Sequence, residues 1–461
     1  MTASVQSVDL PRSSDWTVLA ANVPGGVITS QDARYEEARK LWNGMIDRHP
    51  AAIVRCTSVD DVAMAIGFAR QHGFEIAVRA GGHNAAGLAT VDDGLVIDLR
   101  GMNQVAVDPE RRIARAGGGT IWKEFDVATQ EHGLATTGGV ISMTGIGGLT
   151  LGGGLGHLMR AHGLSCDNLI GAQVVLADGS VVTTSETERP ELLWGLRGGG
   201  GNFGVVTELQ YRLHPVDGMY GGLLLYPRAR GVEALQTYRA VTASAPDELS
   251  TFIAFLSTPE GAPIVAFIPA YAGDAAAGEA AVAGYRALGE PIADMVGPMP
   301  YVALQQMLDE GFQPGPHVYW RSHFLTGLPD AAIDVIVAGA NAAPSPLSSV
   351  LVEHLGGAVA RVGKDETAFD HRDAEYNFAV IAVWTDPAEA DVNIAWARGV
   401  WEAMHPYARG VYVNYLGVGD GVDRVRAAYG PEKYARLAAL KREYDPENVF
   451  HRNQNIVPAK A

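Results

Sequence analysis

Cysteine and long apolar runs are scarce in this chain of 461 residues. Its two cysteines, Cys56 and Cys166, are too few for a disulfide scaffold, and we interpret both as structural thiols. No apolar run approaches the roughly 18 residues that a membrane-spanning helix needs. The first residues have neither the basic start nor the apolar stretch of a secretory signal. These absences predict a cytoplasmic protein without a membrane partner.

Positive charge is also in short supply. Lysine and arginine number 35 against 52 aspartates and glutamates, which gives a net charge of -17. Nucleic acids and anionic membranes are polyanions, so this balance argues against either as a partner. The 13 histidines form no H-E-x-x-H pattern, and the two cysteines do not have a metal-binding spacing, so no metal site is predicted. The length predicts two domains and leaves the oligomeric state open.

Glycine, in contrast, is abundant, with 55 residues, and it is concentrated in the run Gly138–Gly156, GGVISMTGIGGLTLGGGLG. Each glycine loses backbone entropy when it is ordered, so a cluster of glycines needs a reason. The run predicts backbone that approaches a ligand closely and turns its N–H groups toward phosphate oxygens. A flexible linker is the alternative, but Ile146, Leu149, Leu151 and Leu155 stand where a linker would carry serine and charge.

Two common nucleotide-binding loops do not fit this run. A P-loop ends in Gly-Lys-Ser/Thr, and no such tripeptide follows. A Rossmann fingerprint needs a preceding strand and an acidic residue about 20 positions further on. Asp167 lies near that distance, but no βαβ pattern surrounds it. The run therefore predicts a different kind of ligand loop.

A second glycine-containing loop precedes the run. The segment Ser58–Asp61 is typical of a capping box that opens a helix, and Glu75–Arg79 is typical of a short strand. The strand leads into a loop in which Gly81 and Gly82 free the backbone just before His83. Taken alone, His83 is an ordinary hydrogen-bonded loop histidine. Beside the glycine run it becomes a candidate ligand contact.

Around Asp178-Gly179 two apolar runs, Gln173–Ala177 and Ser180–Thr184, predict a hairpin.

The second half of the chain has a different sequence pattern. From about residue 218, strand-like segments alternate with alanine-rich helices, which predicts a helix-covered antiparallel sheet and an α+β fold. Aromatic residues of this half line a pocket or form ordinary core: Phe252, Phe255, Tyr319, Trp320, Phe324, Tyr376 and Trp384.

Six motifs occur along the chain in one order, and together they are more specific than any one of them. They are RAGGHN at 79–84, LGGGLG at 151–156, GLSCDN at 163–168, RGGGGNFG at 197–204, YVNY at 412–415 and YDPENVF…QNI at 444–456. This combination closely resembles the FAD-linked oxidases of the berberine bridge enzyme type, within the vanillyl-alcohol oxidase (PCMH-type) superfamily. The resemblance covers roughly residues 40–456.

The resemblance implies a two-domain organisation. Residues 1–46 are an N-terminal arm, and residues 47–217 are the FAD-binding domain. Residues 218–410 are the substrate-binding domain. Residues 411–461 form a C-terminal segment that returns to the FAD domain.

The resemblance also implies a covalently bound FAD. In such enzymes the histidine of the R-x-G-G-H motif, here His83, is bonded to the flavin 8α carbon. Bicovalent members add a cysteine a few residues before the G-x-G-G of the glycine run, where Ile141 is the counterpart here. A single tether is therefore predicted, and Cys166 lies beyond that position. The predicted cofactor-binding residues are His83, Arg79, Gly81, Gly82, Asn84, Ser142, Thr144, Gly145, Gly147, Gly148, Gly152, Gly153, Gly156, Asn168, Gly204, Asn414 and Asn455.

For catalysis the resemblance points to Tyr415, the second tyrosine of the YVNY motif, with Tyr412 and Tyr376 as further catalytic candidates. The ordinary pKa of tyrosine is about 10, so Tyr415 must have a lowered pKa or stay neutral and pass a proton to a partner. His371 and Arg372 are, with Tyr376, candidate neighbours. If the YVNY motif is an unbroken strand, Tyr415 lies on the opposite face from Tyr412 and Asn414.

The implied activity is hydride removal from an alcohol, sugar hemiacetal or amine carbon of a small or natural-product substrate, with O2 reduced to H2O2. Thr144 corresponds to a position where small side chains accompany oxidases and bulkier ones accompany dehydrogenases, and threonine leaves the acceptor open. The alternatives are a dehydrogenase with a non-oxygen acceptor, a flavin-binding protein without turnover, and a non-flavin nucleotide-binding protein.

Overall fold

The computed structural model describes residues 13–460, except for the side chains of residues 13–15. It combines α-helices with mainly antiparallel sheets, so the predicted α+β class is confirmed. Its α-helices are Ser13–Asn22, Tyr35–Ala38, Val59–His72, Trp122–Gln130, Ile146–Leu151, Met159–His162, Pro190–Leu196, Gly231–Thr242, Ala275–Arg286, Tyr301–Gln306, Asp330–Asn341, Ala358–Arg361, Ala390–Ala403 and Val422–Tyr444. Its 3-10 helices are Leu99–Gly101, Ser165–Asn168, Arg228–Arg230, Asp309–Phe312, Pro387–Glu389, His405–Tyr407 and Val413–Tyr415.

The first sheet carries the His83 loop. Its four strands lie in the spatial order Val27–Ile28, Ala52–Arg55, Leu95–Asp98 and Ile76–Arg79. The central strand Leu95–Asp98 pairs in parallel with both neighbours, because the helix Val59–His72 carries the chain back between them. The predicted capping box at the start of this helix is confirmed by the reciprocal bonds of Ser58 and Asp61. The sheet therefore delivers the chain from Arg79 directly into the glycine loop.

The second sheet is antiparallel throughout and lies beside the glycine run. Its five strands, in spatial order, are Val105–Asp108, Ile113–Gly117, Val205–Arg212, Leu169–Val175 and Val181–Ser185. The predicted hairpin is confirmed, with Val175 opposite Val181 and Gly179 at a φ of 85° in the turn. A two-stranded ribbon joins Leu134–Ala135 to His214–Pro215.

The third sheet has ten strands, all paired antiparallel, as predicted for the second half of the chain. Its main path runs Ala293–Asp294, Leu224–Pro227, Pro263–Ala272, Leu249–Ser257, Ser349–His354, Tyr376–Trp384, His317–Leu325 and Ala408–Gly410. Met219–Gly221 and Gly297–Met299 lie off that path.

The two faces of this large sheet contact different parts of the molecule. Alternate residues such as Phe378 and Val380 pack under helices that include Gly231–Thr242 and Asp330–Asn341. The intervening residues form the other face, which we call the inner face. It includes Phe252, which packs with residues of the glycine run and the YVNY motif. The inner face is therefore the one that meets the predicted ligand loops.

The YVNY motif is not a strand, so the division of its side chains between two faces that an unbroken strand would impose does not occur. Residues Val413–Tyr415 form a single 3-10 turn, in which the N–H of Tyr415 donates to the carbonyl of Tyr412 at 3.0 Å. The side chain of Asn414 donates to the carbonyl of Leu149 at 2.9 Å, which draws the chain away from the sheet. As a result the rings of Tyr412 and Tyr415 meet edge to face, with centroids 5.0 Å apart, instead of pointing to opposite sides.

Within residues 13–460, none of the helices has the length and apolar character needed to cross a bilayer.

Candidate active site

The two glycine segments meet at His83. A Cβ at Gly81 would overlap the backbone of Gly145, so the two loops approach more closely than side chains would allow. Gly82 has a φ of 72°, a conformation that favours glycine and that turns the next residue out of the loop. The His83 ring then stacks on Trp42, with centroids 5.3 Å apart and planes inclined by 15°, and Nδ1 of His83 lies 3.5 Å from Oγ1 of Thr144.

The backbone around His83 fits a phosphate-bearing cofactor. Across the described residues, the N–H groups of 81–86 donate to no acceptor. Gly148 is exposed, and a Cβ there would have no atom within 4 Å, so its helix is open on this side. Unpaired N–H groups beside an open, side-chain-free surface are the donor set that a pyrophosphate requires. The residues present therefore fit the FAD that the sequence predicts.

Electrostatics keeps the His83 imidazole neutral. Burial lowers the pKa of His83 to about 4, and the carboxylate of Asp309 opposes that effect only in part. A neutral ring has a free nitrogen lone pair at physiological pH. The same ring is held in place by Trp42 and Thr144. This combination is what a nucleophilic attachment point for a cofactor needs.

The second half of the glycine run has a structural role. A Cβ at Gly152 would overlap the side chain of Asn414, and one at Gly156 would overlap the carbonyl of Gly138. Gly153 lies under Phe369 and Tyr412. These glycines let protein atoms approach the run, whereas Gly148 is open to solvent. The same holds for Gly204, whose Cβ position is closed by Val174 and the backbone of Val175.

The other predicted cofactor residues are held by protein contacts. The buried guanidinium of Arg79 donates to the carbonyls of Ala38 and Ala89, so it braces the loop from beneath. The amide of Asn168 donates to the carbonyls of His162 and Leu164, and its oxygen contacts His214. Ser142 donates through its N–H and its hydroxyl to Asp309, at 2.9 and 2.6 Å. Asn84 accepts from the N–H of Leu88, and Oδ1 of Asn455 is buried without a described partner.

A carboxyl and a phenol face each other on the inner face of the large sheet. The hydroxyl of Tyr415 donates to Oε1 of Glu353 at 3.4 Å, and Nδ2 of Asn377 donates to Oε2. Glu353 is only 2% exposed, and burial raises its pKa to about 7, although both hydrogen bonds oppose the rise. Burial and the nearby carboxyl raise the pKa of Tyr415 well above its ordinary value. Tyr415 is therefore a neutral phenol at neutral pH, and Glu353 is the group that titrates.

A row of aromatic rings connects this pair to His83. Trp42 stacks on His83. The ring centroid of Trp42 lies 6.0 Å from that of Trp320, and the centroid of Trp320 lies 5.0 Å from that of Tyr415. The Nε1 donor of Trp320 is buried without a described partner. A continuous row of ring contacts thus joins His83 to the Tyr415–Glu353 pair.

Comparison with known proteins shows which family this chain resembles. The FAD binding domain family matches residues 50–185, and the berberine and berberine-like family matches residues 411–457. An FAD-linked oxidoreductase of Dictyostelium discoideum is 32% identical over 442 residues, which cover 95% of each chain. The (R)-6-hydroxynicotine oxidase of Paenarthrobacter nicotinovorans is 34% identical over 455 residues, covering 95% of this chain and 97% of the relative. This chain belongs to the berberine bridge enzyme-like family of FAD-linked oxidoreductases.

Solved structures of this family share the fold. The crystal structure of 6-hydroxy-D-nicotine oxidase from Arthrobacter nicotinovorans has a TM-score of 0.88 at 31% identity, covering 95% of this chain and 98% of the other. A xylooligosaccharide oxidase from Myceliophthora thermophila has a TM-score of 0.86 at 24% identity, covering 97% of this chain and the whole of the other. The second comparison shows the fold alone.

The sequence did not point to Glu353 or Asn377, which are central to this berberine bridge enzyme-like site. Glu353 is the one charged residue in the middle of the apolar segment SVLVEHL, and Asn377 interrupts the apolar run YNFAVIAVW. Sheet register places them opposite each other, with Phe252 on the other side of Glu353. An isolated polar residue within a buried strand is the signal that could have identified them.

Three predicted neighbours of Tyr415 lie elsewhere. Tyr376 precedes Asn377 on the same strand, so its side chain lies on the opposite, helix-covered face. There its hydroxyl is hydrogen-bonded to that of Thr242 at 2.7 Å. Arg372 forms a buried bidentate ion pair with Asp167, and the ring of His371 contacts the carbonyl of Ala427. The structure therefore separates all three from Tyr415 and supplies Glu353 as its partner.

Tyr412 and Cys166 are also held by neighbouring protein atoms. The hydroxyl of Tyr412 accepts from the N–H of Gly154 at 2.7 Å and from Asn414 at 2.8 Å, so this phenol anchors the glycine run. Cys166 is fully buried, and burial raises its pKa well above the ordinary value. A protonated, enclosed thiol agrees with the structural role predicted for it.

Proposed function

We propose that this chain is an FAD-dependent oxidase that removes a hydride from an alcohol, sugar hemiacetal or amine carbon of a small substrate and uses O2 as the acceptor, giving H2O2. The observation that carries the proposal is the Tyr415–Glu353 pair on the inner face, connected through Trp320 and Trp42 to His83. Such an oxidation needs at least a bound cofactor that takes the hydride and a group that takes the proton.

The cofactor is FAD, bonded through its 8α carbon to His83. When bound, FAD accepts the hydride and passes its two electrons on. The free N–H groups of residues 81–86 and the open surface at Gly148 would hold its pyrophosphate. Ile141 stands where a second, cysteine tether would be, and Cys166 is enclosed, so His83 is the single attachment point. In this proposal residues 47–217 and the segment after 411 bind FAD, and residues 218–410 bind the substrate.

The proton of the reaction goes to Glu353. Tyr415 has a raised pKa, so it acts as a neutral phenol that can accept a proton from the substrate O–H or N–H while giving its own to the carboxylate. Glu353 has a pKa of about 7, which makes it an effective base near neutral pH. Asn377 holds the other carboxylate oxygen and so fixes the direction in which the first oxygen points.

The relatives support the general reaction. They are named FAD-linked oxidoreductases and oxidases, and they include a 6-hydroxynicotine oxidase and a xylooligosaccharide oxidase. Oxidation of amines and of sugars on one fold is consistent with chemistry that the flavin supplies and with specificity that the wall residues supply.

The first test is the tether. We expect acid-denatured holoprotein to keep its yellow colour in the pellet and the flavin mass to map to the His83 peptide alone. The variant His83→Ala should release its flavin to the supernatant, while Cys166→Ser, its matched control, should keep the colour in the pellet. Flavin on the Cys166 peptide, or colour released from the wild type, would contradict the single tether. A colourless protein would contradict the flavin itself.

The second test is the electron acceptor. With a substrate that bleaches the flavin, we expect one H2O2 for each substrate oxidised under air. Turnover that needs a quinone and yields no peroxide would instead make the protein a dehydrogenase. A flavin that no alcohol, sugar or amine bleaches would make it a binding protein without turnover.

A further inference from the structure

We propose that the substrate is an amine with an apolar body, bound as its ammonium cation by Glu353 beside the rings of Trp320 and Tyr415. This inference rests on the proposed function, because it names the substrate class of the same site. Three independent features carry it: a carboxyl without a counter-charge, an excess of hydrogen-bond acceptors, and a wall of apolar and aromatic side chains.

The first feature is the missing counter-charge. Both groups that bond to Glu353, the amide of Asn377 and the phenol of Tyr415, are neutral. Over residues 13–460, no lysine, arginine or histidine forms an ion pair with Glu353. The buried carboxylates of Asp167 and Asp445, in contrast, each contact an arginine or a lysine. A buried carboxylate is costly without a cation, and a bound ammonium would supply one.

The second feature is the balance of donors and acceptors. Tyr415 gives its one proton to Glu353, and Oδ1 of Asn377, a fully buried side chain, has no partner among the described residues. The site therefore offers carboxylate and amide oxygens as acceptors, against one free donor, Nε1 of Trp320. An ammonium has only donors, whereas a hydroxyl brings two further lone pairs. The acceptor-rich site is complementary to the ammonium.

The third feature is the wall of the site. Across the sheet Glu353 is flanked by Phe252, and the next inner-face row holds Ala254, Leu351 and Ala379. Further apolar side chains on this side keep some exposure, among them Leu225, Leu256, Met307 and Leu308. Such a wall would leave the hydroxyls of an oligosaccharide unpaired. Aromatic faces attract cations, and the ring of Tyr415, whose hydroxyl donates to Glu353, is tilted against that of Trp320 with centroids 5.0 Å apart.

The chemistry balances for an amine. The ammonium gives one proton to the Glu353 carboxylate and becomes a neutral amine. Its α C–H bond then breaks, and the hydride carries two electrons to the flavin, which leaves an iminium ion. Water hydrolyses the iminium ion to a carbonyl compound and an amine. The two electrons end on O2, which takes up two protons and forms H2O2.

Binding can be measured without turnover. Neither 2-phenylpropan-2-amine nor its isostere 2-phenylpropan-2-ol has a hydrogen on the carbon that bears the heteroatom, so neither can be oxidised there. At about pH 8 the amine is a cation and the alcohol is neutral. We expect titration calorimetry on the wild-type holoenzyme to show the amine binding at least about tenfold more tightly than the alcohol.

Two variants test the assigned groups. Glu353→Gln keeps the oxygen that accepts from Asn377 and should bring the two affinities within about twofold of each other. Trp320→Leu keeps an apolar wall and should weaken the amine about threefold while leaving the alcohol unchanged. Equal binding of amine and alcohol by the wild type, binding of neither, or a preference that survives in Glu353→Gln would overturn the proposal.

Flavin bleaching separates this inference from the proposed function. A flavin bleached by alcohols or sugars, with no calorimetric preference for the amine, would leave the oxidase standing and overturn the amine assignment. A clear preference for the amine, with a flavin that no amine bearing an α-hydrogen bleaches, would support the cation site and overturn the oxidase.

Discussion

Two neighbouring strands, Ser349–His354 and Tyr376–Trp384, present opposite environments on their two faces. On the inner face Glu353 stands opposite Asn377, and one residue further along His354 stands opposite Tyr376 on the helix-covered face. All four side chains are buried. The inner pair has an unpaired amide oxygen and a carboxyl with a raised pKa. In the outer pair the hydroxyl of Tyr376 is paired with Thr242, while Nδ1 of His354 has no described partner.

The comparison shows that burial alone does not distinguish a catalytic residue from a structural one. Both faces are enclosed, and polar groups occur on both. Each face has a buried polar atom without a described partner, Oδ1 of Asn377 on the inner face and Nδ1 of His354 on the other. The difference lies in what faces the polar groups: aromatic rings that lead to the His83 loop on the inner face, and helices on the other. The predictions below test this difference between the faces.

The largest effect is expected at Glu353. Glu353→Gln removes the base and should lower kcat by about 10²- to 10⁴-fold. Its Tm at neutral pH should equal or exceed that of the wild type, because the folded-state pKa of Glu353 is raised and ionisation of the carboxyl destabilises the fold as pH rises toward 7. Steady-state kinetics and a melting curve measure both quantities. A large loss of Tm with little loss of kcat would assign Glu353 a structural role.

A smaller loss is expected for Tyr415→Phe, because Glu353 can still take the proton directly. We expect kcat to fall by about tenfold or more. The hydroxyl of Tyr415 lowers the pKa of Glu353 by donating to it, so its removal should also move the activity profile to higher pH. An unchanged profile would mean that the two groups are not coupled.

The wild-type enzyme should show a single ionisation near neutrality. In the proposed mechanism Glu353 acts as a base in its charged form, so kcat/KM should be low below its pKa of about 7 and should rise to a plateau above it. The acidic limb should be absent from Glu353→Gln. An acidic limb that persists unchanged in this variant would show that another group is the base.

The smallest effect on activity is expected at Tyr376. Tyr376→Phe removes its bond to Thr242 and should cost about 1 kcal/mol of stability, with kcat changed less than about twofold. The hydroxyl of Thr242 keeps its bond to the carbonyl of Tyr238, so no buried donor is left unpaired. Thermal melting and kinetics on one preparation provide the comparison. A loss of kcat as large as that of Tyr415→Phe would contradict the assignment of faces.

Local and contiguous signals were predictable from the sequence. The capping box at Ser58, the hairpin at Gly179 and the loop that presents His83 each depend on a few neighbouring residues. The ordered motifs then identified the family. The YVNY motif does not form the unbroken strand considered for it, and its Asn414 is instead bonded to Leu149, a contact across most of the chain.

The contacts among Glu353, Asn377 and Tyr415 could not be predicted from neighbouring residues in the sequence. Glu353 and Asn377 come together only through strand register, and Tyr415 reaches them only after the 3-10 turn has changed its direction. The glycines of the run could not be told apart for a similar reason. Only the fold shows that Gly152 packs against the side chain of Asn414 while Gly148 is open to solvent. Tyr376, the third tyrosine candidate, lies on the far face because side chains alternate along its strand.

The measurement that tests the central claim most directly is the rate of anaerobic flavin bleaching by one oxidisable amine, compared in the wild type, Glu353→Gln and Tyr376→Phe. The account predicts that Tyr376→Phe bleaches at the wild-type rate while Glu353→Gln is slower by about 10²-fold or more. Equal bleaching by all three proteins, or slower bleaching in Tyr376→Phe than in Glu353→Gln, would contradict the claim that the inner face of the sheet carries the chemistry.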